Sequence, residues 1–371
     1  MKDEGTIISI FSTTWGHESI GKAVEDALRP KYHTYFNFIK PESFGTKSYN
    51  SLYLLFPSFT KIPYKISETE KISKIAAKYL YKSYAKKIEA MIKKQKPSFV
   101  ISTYFAFSLV LEKLSKKYHF VFINIVADPR SIHKLTLFAN AYNFLFDKKS
   151  LKRGIKLGLD RSQCIQSGWF VRKEFKKPKN KEKVRSSLGL QPELFTVSVI
   201  GGSVGTFNVL KILPAFITLD KKIQVVIICG NNKRLYKSLL SFLEILDLKK
   251  NGNARFIIKG FTLNTHEFLQ ASDIVIGKAG PNLLFESVAV ETPFFAVSHL
   301  AGQEDGNLEI IKEYKLGFVE ENPVKAIKLT QKIINNPKIL KRFSKPLEKL
   351  SIYNRNSYTI LQKFIEIKLE E

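Results

Sequence analysis

The chain has 371 residues, of which 44% are hydrophobic and 25% are charged, so it can build two folded domains and is not mainly disordered. Lysine and arginine number 60 against 33 acidic residues, a formal net charge of +27, which predicts an anionic partner: nucleic acid, a membrane surface or a phosphorylated substrate. Cys164 and Cys229 lie far apart in apolar stretches, which argues against a disulfide framework or a zinc site and favours a reducing compartment.

Membrane-spanning and secretory segments are not predicted. No apolar run approaches the ~20 residues that a spanning helix needs. The N-terminal segment has two acidic residues before a short β-branched run and lacks the apolar core of a signal peptide. We therefore expect a cytoplasmic protein.

The first half alternates short β-branched runs with segments of helical period, which is typical of parallel βαβ units. Between the first two strands, apolar residues from Ile20 to Leu28 recur at helical spacing and predict an amphipathic helix that ends before Pro30. The predicted strands are residues 6–12, 33–38, 98–103, 120–126, 141–146 and 163–166.

The second half repeats this alternation. Its predicted strands are residues 195–200, 224–229, 254–259, 273–276 and 294–297, and its predicted helices are residues 209–219, 234–246 and 282–290. We predict a first domain over residues 1–172, a polar linker over 173–185, a second domain over 186–345, and a helical segment over 346–371 that packs back on the first domain. The fold class is α/β, with two Rossmann-like, doubly wound domains facing across a cleft.

Two glycine-rich turns of the second half each follow a predicted strand. Gly202, Ser203 and Gly205 belong to a GGSVG turn, which fits neither the dinucleotide fingerprint nor a P-loop. It is either an anion-binding turn or a purely structural one.

The second turn is the sequence GKAGPN, residues 277–282, with Glu286 one turn into the next helix. It can bind a phosphate while Glu286 accepts from ribose hydroxyls, or Lys278 and Glu286 are solvated charges at a helix end.

Two further loops carry polar side chains. Residues 301–307, AGQEDGN, concentrate amide and carboxylate groups, as sugar recognition requires, although an ordinary helix cap is the alternative. Gly16 and His17 lie between the first strand and the first helix, where His17 is either a general base or a structural residue. Asp128 follows the strand 120–126. No spacing for a metal site occurs among the histidines and cysteines.

These motifs resemble a known family. GGSVG, ICGNNKRL, KGF, GKAGPNLLFE and AGQEDGN, in this order and spacing, resemble the diacylglycerol glycosyltransferases related to plant monogalactosyldiacylglycerol synthase, in glycosyltransferase family 28. In the first half the resemblance rests on GHES at Gly16, the Asp128-Pro129 region and SGWFVRKEF. The family usually has GGGH where this chain has Thr14-Trp15-Gly16-His17.

The resemblance implies a GT-B fold and an inverting, metal-independent transfer of a hexose from a UDP-sugar to a lipid, which we expect to be diacylglycerol, with no cofactor. His17 is then the candidate base, and Gly16 and Asp128 lie on the acceptor side. The implied donor residues are Phe261 against uracil, Glu286 on the ribose, Gly202, Ser203, Gly205, Lys278, Ala279, Gly280 and Pro281 around the diphosphate, and Gln303, Glu304 and Asn307 facing the hexose.

Two rival functions stay open. A transferase that adds N-acetylglucosamine to a polyprenyl-linked precursor shares the fold, although its acceptor-loop signatures are absent here. A nucleic-acid-binding protein would explain the charge, but the chain has no RRM, KH or zinc-finger signature, so we expect no nucleic acid partner.

A membrane-facing surface is also predicted. Leu54, Leu55, Phe56 and Phe59 form an apolar patch in a loop-like segment, and a lysine-rich amphipathic helix follows it over residues 71–82. This pattern predicts peripheral binding to the anionic inner face of a membrane. The alternative is that these apolar residues pack on the first sheet.

Overall fold

The computed structural model describes residues 3–41, 70–175, 180–201, 207–245 and 253–371. The chain divides into two compact units. Unit 1 consists of Met1–Lys173, Ala301–Gly306 and Tyr353–Glu371, and unit 2 of Glu174–Leu300 and Asn307–Ile352. The chain passes from unit 1 to unit 2 at residues 173 and 174, where the polar segment 173–185 begins. Part of that segment is helical, because a helix occupies Lys181–Ser187.

Unit 1 is built on a six-stranded parallel sheet in the order β2-β1-β3-β4-β5-β6. Its strands are β1 (Asp3–Ser12), β2 (Tyr32–Phe38), β3 (Phe99–Ser102), β4 (Val121–Ile125), β5 (Tyr142–Leu145) and β6 (Cys164–Gln166). Its helices are α1 (Gly16–Leu28), α2 (Glu70–Gln95), α3 (Phe105–Tyr118) and α4 (Lys148–Lys156). The predicted amphipathic helix is confirmed, since Ile20, Val24 and Leu28 are buried on one face of α1.

Unit 2 contains a second six-stranded parallel sheet, in the order β12-β11-β10-β7-β8-β9. Its strands are β7 (Phe195–Ile200), β8 (Ile223–Ile228), β9 (Ala254–Lys259), β10 (Ile274–Lys278), β11 (Phe294–Ser298) and β12 (Gly317–Val319). The helices that lie wholly or mostly in unit 2 are α5 (Lys181–Ser187), α6 (Pro214–Ile217), α7 (Lys233–Ile245), α8 (Thr265–Ala271), α9 (Pro281–Ala289), α10 (Asp305–Glu313), α11 (Pro323–Asn335) and α12 (Ser344–Arg355).

The helix predicted over residues 209–219 is wrong in its extent. A 3-10 helix over Phe207–Ile212 is followed by the four-residue α6, which begins at Pro214. Proline has no N–H group to donate to the preceding turn and its ring crowds that turn, so Pro214 disfavours a continuous α-helix and is instead found at the start of α6.

The C-terminal part of the chain belongs to unit 1 from Tyr353 onward. The last helix, α13 (Ser357–Glu370), packs beside α1. Gln362 donates from Nε2 to the carbonyl oxygen of Ala27 at 2.6 Å, and the ring of Phe364 lies edge-on to that of Phe144. This final helix therefore covers one edge of the unit 1 core.

Each sheet has one point where the strand order changes direction. In unit 1 it lies between β1 and β3, and in unit 2 it lies between β7 and β10. In open parallel sheets, ligands bind beyond the carboxyl ends of the strands at such a point. The loops after β1, β3, β7 and β10 are therefore the places to look for a site.

Candidate active site

His17 lies at the switch point of unit 1. It is the second residue of α1, and its Nδ1 atom is 2.5 Å from the carbonyl oxygen of Thr103, the residue that follows β3. Since a carbonyl only accepts, Nδ1 carries the proton and Nε2 is the unprotonated nitrogen. The ring of Tyr104 packs edge-on against the imidazole, with 4.9 Å between ring centroids.

The environment of His17 keeps the imidazole neutral. Burial lowers its pKa to about 4, against a smaller opposing effect of the hydrogen bond to Thr103. A neutral imidazole with a fixed tautomer has a lone pair on Nε2 that can accept a proton from a hydroxyl group. The geometry thus fits the predicted role of His17 as a base.

Thr103 is the residue of this centre that the sequence did not single out. Its side chain also bonds to the first strand, since Thr103 Oγ1 is 3.0 Å from Ser12 Oγ. The predicted strand 98–103 ended at this residue, but its contact with His17 follows from the pairing of β3 with β1. The contact between Thr103 and His17 could be predicted only if the order of the strands in the unit 1 sheet were already known.

Gly16 begins α1 and is preceded by Trp15, whose backbone has φ 64° and ψ −129°. Side chains with a Cβ rarely adopt this conformation, and glycine adopts it without steric cost. Trp15 is also 42% exposed. This chain therefore carries a strained, exposed tryptophan next to the helix turn that holds His17.

Asp128 lies beyond the carboxyl end of β4 and contacts the segment Ala301–Gly306, which belongs to the same unit. Gln303 donates from Nε2 to Asp128 Oδ1 at 3.2 Å. Burial raises the pKa of Asp128, the hydrogen bond from Gln303 partly opposes this rise and the charge of the nearby Glu304 adds to it, so that the pKa is about 7. Glu304 itself is buried. Two acidic side chains and one amide thus form a single cluster.

The turn that follows β10 is closely packed in unit 2. A Cβ at Gly277 would lie 2.6 Å from the carbonyl oxygen of Ile200 at the end of β7, so only glycine allows the two strand ends to approach this closely. Ala279 is buried, and its N–H donates to the carbonyl oxygen of Ser298 at 2.8 Å. Asn307 donates from Nδ2 to the carbonyl oxygen of Ala279 at 2.7 Å. The turn is held from two sides.

This turn leads directly into α9. Gly280 is the N-cap residue and makes no side-chain capping bond, and Pro281 is the first helical residue. The N-terminal N–H groups of a helix favour an anion by about 0.3–1 kcal/mol. Lys278 ends β10 just before the turn, and the partly buried Glu286 lies one turn inside the helix. The arrangement can accept a phosphate at the turn and hydroxyl groups at Glu286.

Asn307 has an additional feature. The side chain is almost fully buried, and its Oδ1 atom has no hydrogen-bond partner within the described part of the chain. The prediction that Asn307 faces the hexose stays open, but its amide nitrogen already supports the Ala279 carbonyl.

Phe261 follows β9 and is 63% exposed. An exposed ring on a loop beyond the carboxyl edge of the sheet can stack on a planar base. Gly202, Ser203 and Gly205 lie outside the described residues, as do Leu54, Leu55, Phe56 and Phe59, so their predicted roles remain predictions.

Across the described residues, no group of three or more histidine, cysteine, aspartate or glutamate side chains is placed to hold a metal ion. Cys164 and Cys229 are both free and buried. None of the described helices combines the length and apolarity needed to cross a membrane.

Two protein-family models match this chain. Residues 17–171 match the monogalactosyldiacylglycerol (MGDG) synthase family, and residues 196–310 match the C-terminal domain of glycosyltransferase family 28. The chain thus resembles glycosyltransferase family 28 in both halves. The predicted resemblance to the MGDG synthases is thus confirmed.

Two relatives with similar sequences illustrate the likeness. Monogalactosyldiacylglycerol synthase 3 of Arabidopsis thaliana is 28% identical over 285 residues, which are 72% of this chain and 59% of the relative. A processive diacylglycerol beta-glucosyltransferase of Staphylococcus aureus (strain bovine RF122 / ET3-1) is 27% identical over 269 residues, which are 70% of this chain and 65% of that protein. The chain therefore spans about 60% of the length of these relatives.

The fold has counterparts among solved structures. The Anabaena protein HepE, crystallised with UDP and glucose, superposes with a TM-score of 0.58 at 12% sequence identity and covers 99% of this chain and 100% of its own. Such low identity shows the fold alone. The predicted GT-B fold class, with two parallel α/β sheets, is confirmed.

Proposed function

We propose that this protein transfers a hexose from a UDP-sugar to a membrane lipid, with diacylglycerol as the acceptor. The names of its relatives, a monogalactosyldiacylglycerol synthase and a diacylglycerol beta-glucosyltransferase, support this reaction class. The observation that carries the proposal is the neutral His17, whose Nδ1 is held by the Thr103 carbonyl. Its Nε2 can accept the proton of an acceptor hydroxyl group.

The proposed reaction is a single displacement. Nε2 of His17 takes the hydroxyl proton, and the acceptor oxygen forms a bond to the anomeric carbon from the face opposite the leaving group. The bond between that carbon and the diphosphate oxygen breaks, and UDP leaves with the electron pair. The configuration at the anomeric carbon is inverted.

The leaving UDP needs positive charge and hydrogen-bond donors where its negative charge develops. In unit 2 the uncapped N-terminus of α9 and the side chain of Lys278 are suited to this role, and the GGSVG turn is expected to contribute backbone N–H groups. Glu286 would hold the ribose and Phe261 the uracil. We propose that no metal ion takes part, in keeping with the resemblance to family 28.

We further propose that unit 1 contacts the anionic inner surface of a membrane. The second half of α2 packs inward through Tyr84, Ile88 and Ile92, which belong to the core. Its first half exposes Ile75 and Tyr79, one turn apart and 63% and 55% accessible. Lys78 and Lys82 are exposed beside them. An apolar pair among lysines suits a lipid interface, where each lysine contributes about 1 kcal/mol.

The test of the proposed reaction separates donor binding from transfer. His17→Ala should bind UDP as the parent protein does but lose a factor of about 10²–10⁴ in the rate of transfer to diacylglycerol. Calorimetry with UDP and a transfer assay with a labelled UDP-hexose measure the two quantities. Turnover within a few-fold of the parent would rule out His17 as the base.

A further inference from the structure

Two short segments of unit 1 that are far apart in sequence pack against each other. One is residues 128–131, called here the acidic turn, and the other is Ala301–Gly306, called here the hexose loop. Gln303 donates from Nε2 to Asp128 Oδ1 at 3.2 Å, and the N–H of Gly306 donates to Ser131 Oγ at 2.9 Å. The acidic turn therefore bonds both a side chain and the backbone of the hexose loop.

The packing at Gly306 leaves no room for a side chain. A Cβ at this position would lie 2.3 Å from the Cβ of Arg130 and 2.9 Å from the backbone nitrogen of Ser131. One of these atoms is in the backbone and the other is bonded directly to it. Neither atom can move aside unless the backbone of the turn moves as well. The loop thus packs against the turn at a position that only glycine fits.

The acidic turn is itself fixed by a buried ion pair between Arg130 and Asp147. The guanidinium of Arg130 is buried and pairs with the buried carboxylate of Asp147, with Nη2 2.5 Å and Nε 3.1 Å from Oδ2. The N–H of Ser150 donates to Oδ1 of the same carboxylate at 2.9 Å. A bidentate buried pair of this kind fixes both position and orientation. The acidic turn is a firm support for the hexose loop.

The hexose loop carries Gln303 and Glu304, two of the three side chains expected to bind the sugar. Asp128 bonds the first directly and lies close enough to the second for their charges to interact. We propose that Asp128 is a positioning residue for the donor hexose, because it holds Gln303 and the loop in the orientation that meets the sugar. This inference rests on the proposed function and moves Asp128 from the acceptor side to the donor side.

The test compares the affinity for a UDP-hexose with the affinity for UDP, since the difference between the two reports on the sugar alone. In calorimetry, Asp128→Ala should bind UDP as tightly as the parent, while its affinity for the UDP-hexose falls about 5- to 10-fold, the effect of one lost hydrogen bond. Asp128→Asn keeps an oxygen that accepts from Gln303, so it should stay within about 2-fold of the parent. Asp220→Ala, which removes an exposed aspartate of unit 2, is the control and should change neither affinity.

A double-mutant cycle tests whether Asp128 acts through Gln303. Gln303→Ala alone and the double variant Asp128→Ala/Gln303→Ala should lose the same affinity for the UDP-hexose. Independent, additive losses would overturn the proposal. So would an Asp128→Ala variant that keeps its UDP-hexose affinity and loses only the rate of transfer, because Asp128 would then act on the acceptor.

A second variant, Gly306→Ala, disturbs the same loop and serves as the test if Asp128→Ala does not fold. Gly306→Ala forces the loop away from Arg130, so it should lower UDP-hexose affinity and leave UDP affinity unchanged. Unchanged affinity for both would overturn the proposal. A parent protein that binds neither UDP nor a UDP-hexose would instead contradict the proposed function itself.

Discussion

The carbonyl oxygen of Thr103 lies 2.5 Å from Nδ1 of His17 and so determines which nitrogen of the imidazole carries the proton. The two residues follow β1 and β3, the strands that meet at the switch point of the unit 1 sheet. The strand order places a backbone acceptor where the candidate base needs one.

The pH dependence of transfer follows from the lowered pKa of His17. Because burial brings this pKa to about 4, the imidazole is neutral at all higher pH values, and the transfer rate should fall on the acid side only as the pH drops through about 4. A pH profile of kcat measures this limb. An acid limb centred near 6.5, the ordinary histidine value, would contradict it.

The lowered pKa of His17 also makes the free energy of unfolding depend on pH. The unfolded chain takes up a proton on His17 near pH 6.5, whereas the folded chain does so only near pH 4, so this residue costs stability as the pH falls across that window. His17→Gln should remove this part of the pH dependence of urea unfolding.

Trp15 gives a prediction of increased stability. Its positive φ is a conformation that glycine adopts freely, and such strain costs about 1–3 kcal/mol. Trp15→Gly should therefore raise the free energy of unfolding by about 1 kcal/mol, once the greater freedom of glycine in the unfolded chain is subtracted. Trp15→Ala removes the same ring but keeps the strain, so it is the matched control for urea unfolding. If the alanine variant is as stable as the glycine variant, backbone strain is not the cause.

Most strands could be predicted from the sequence because they are continuous β-branched runs buried on both faces, as in β8 over Ile223–Ile228. The three-residue β12 was missed, since Gly317–Val319 is too short to form a recognisable run. The contact of Asp128 with Gln303 joins residues 175 positions apart. No local pattern encodes it, because it depends on how two separate loops pack.

Phe261 and Leu263 offer a matched pair on the loop after β9. Both are exposed, at 63% and 75%, but only Phe261 has an aromatic face. Stacking on a base contributes about 1–3 kcal/mol, so Phe261→Ala should weaken UDP binding by about 10-fold in calorimetry. Leu263→Ala should bind UDP as the parent does. Equal losses in the two variants would show that the loop, and not the ring, supports the nucleotide.

The exposed start of α2 predicts membrane binding. Ile75→Asp combined with Tyr79→Asp should reduce sedimentation with vesicles that contain anionic lipid, and salt should release the parent protein from the same vesicles. UDP affinity should not change, because the unit 2 residues are untouched. Ile352→Asp, at an apolar residue of unit 2 that is also exposed, is the control. Sedimentation that is equally strong in all three proteins would contradict this membrane surface.

The proposed transfer of a hexose to diacylglycerol is tested most directly by a screen of UDP-sugar donors with the lipid acceptor. Labelled UDP-glucose, UDP-galactose and UDP-N-acetylglucosamine are each incubated with the protein and vesicles containing diacylglycerol, and the label in the extracted lipid is measured. We expect transfer from UDP-glucose or UDP-galactose that disappears with His17→Ala. No transfer of either hexose to diacylglycerol would contradict the proposed reaction.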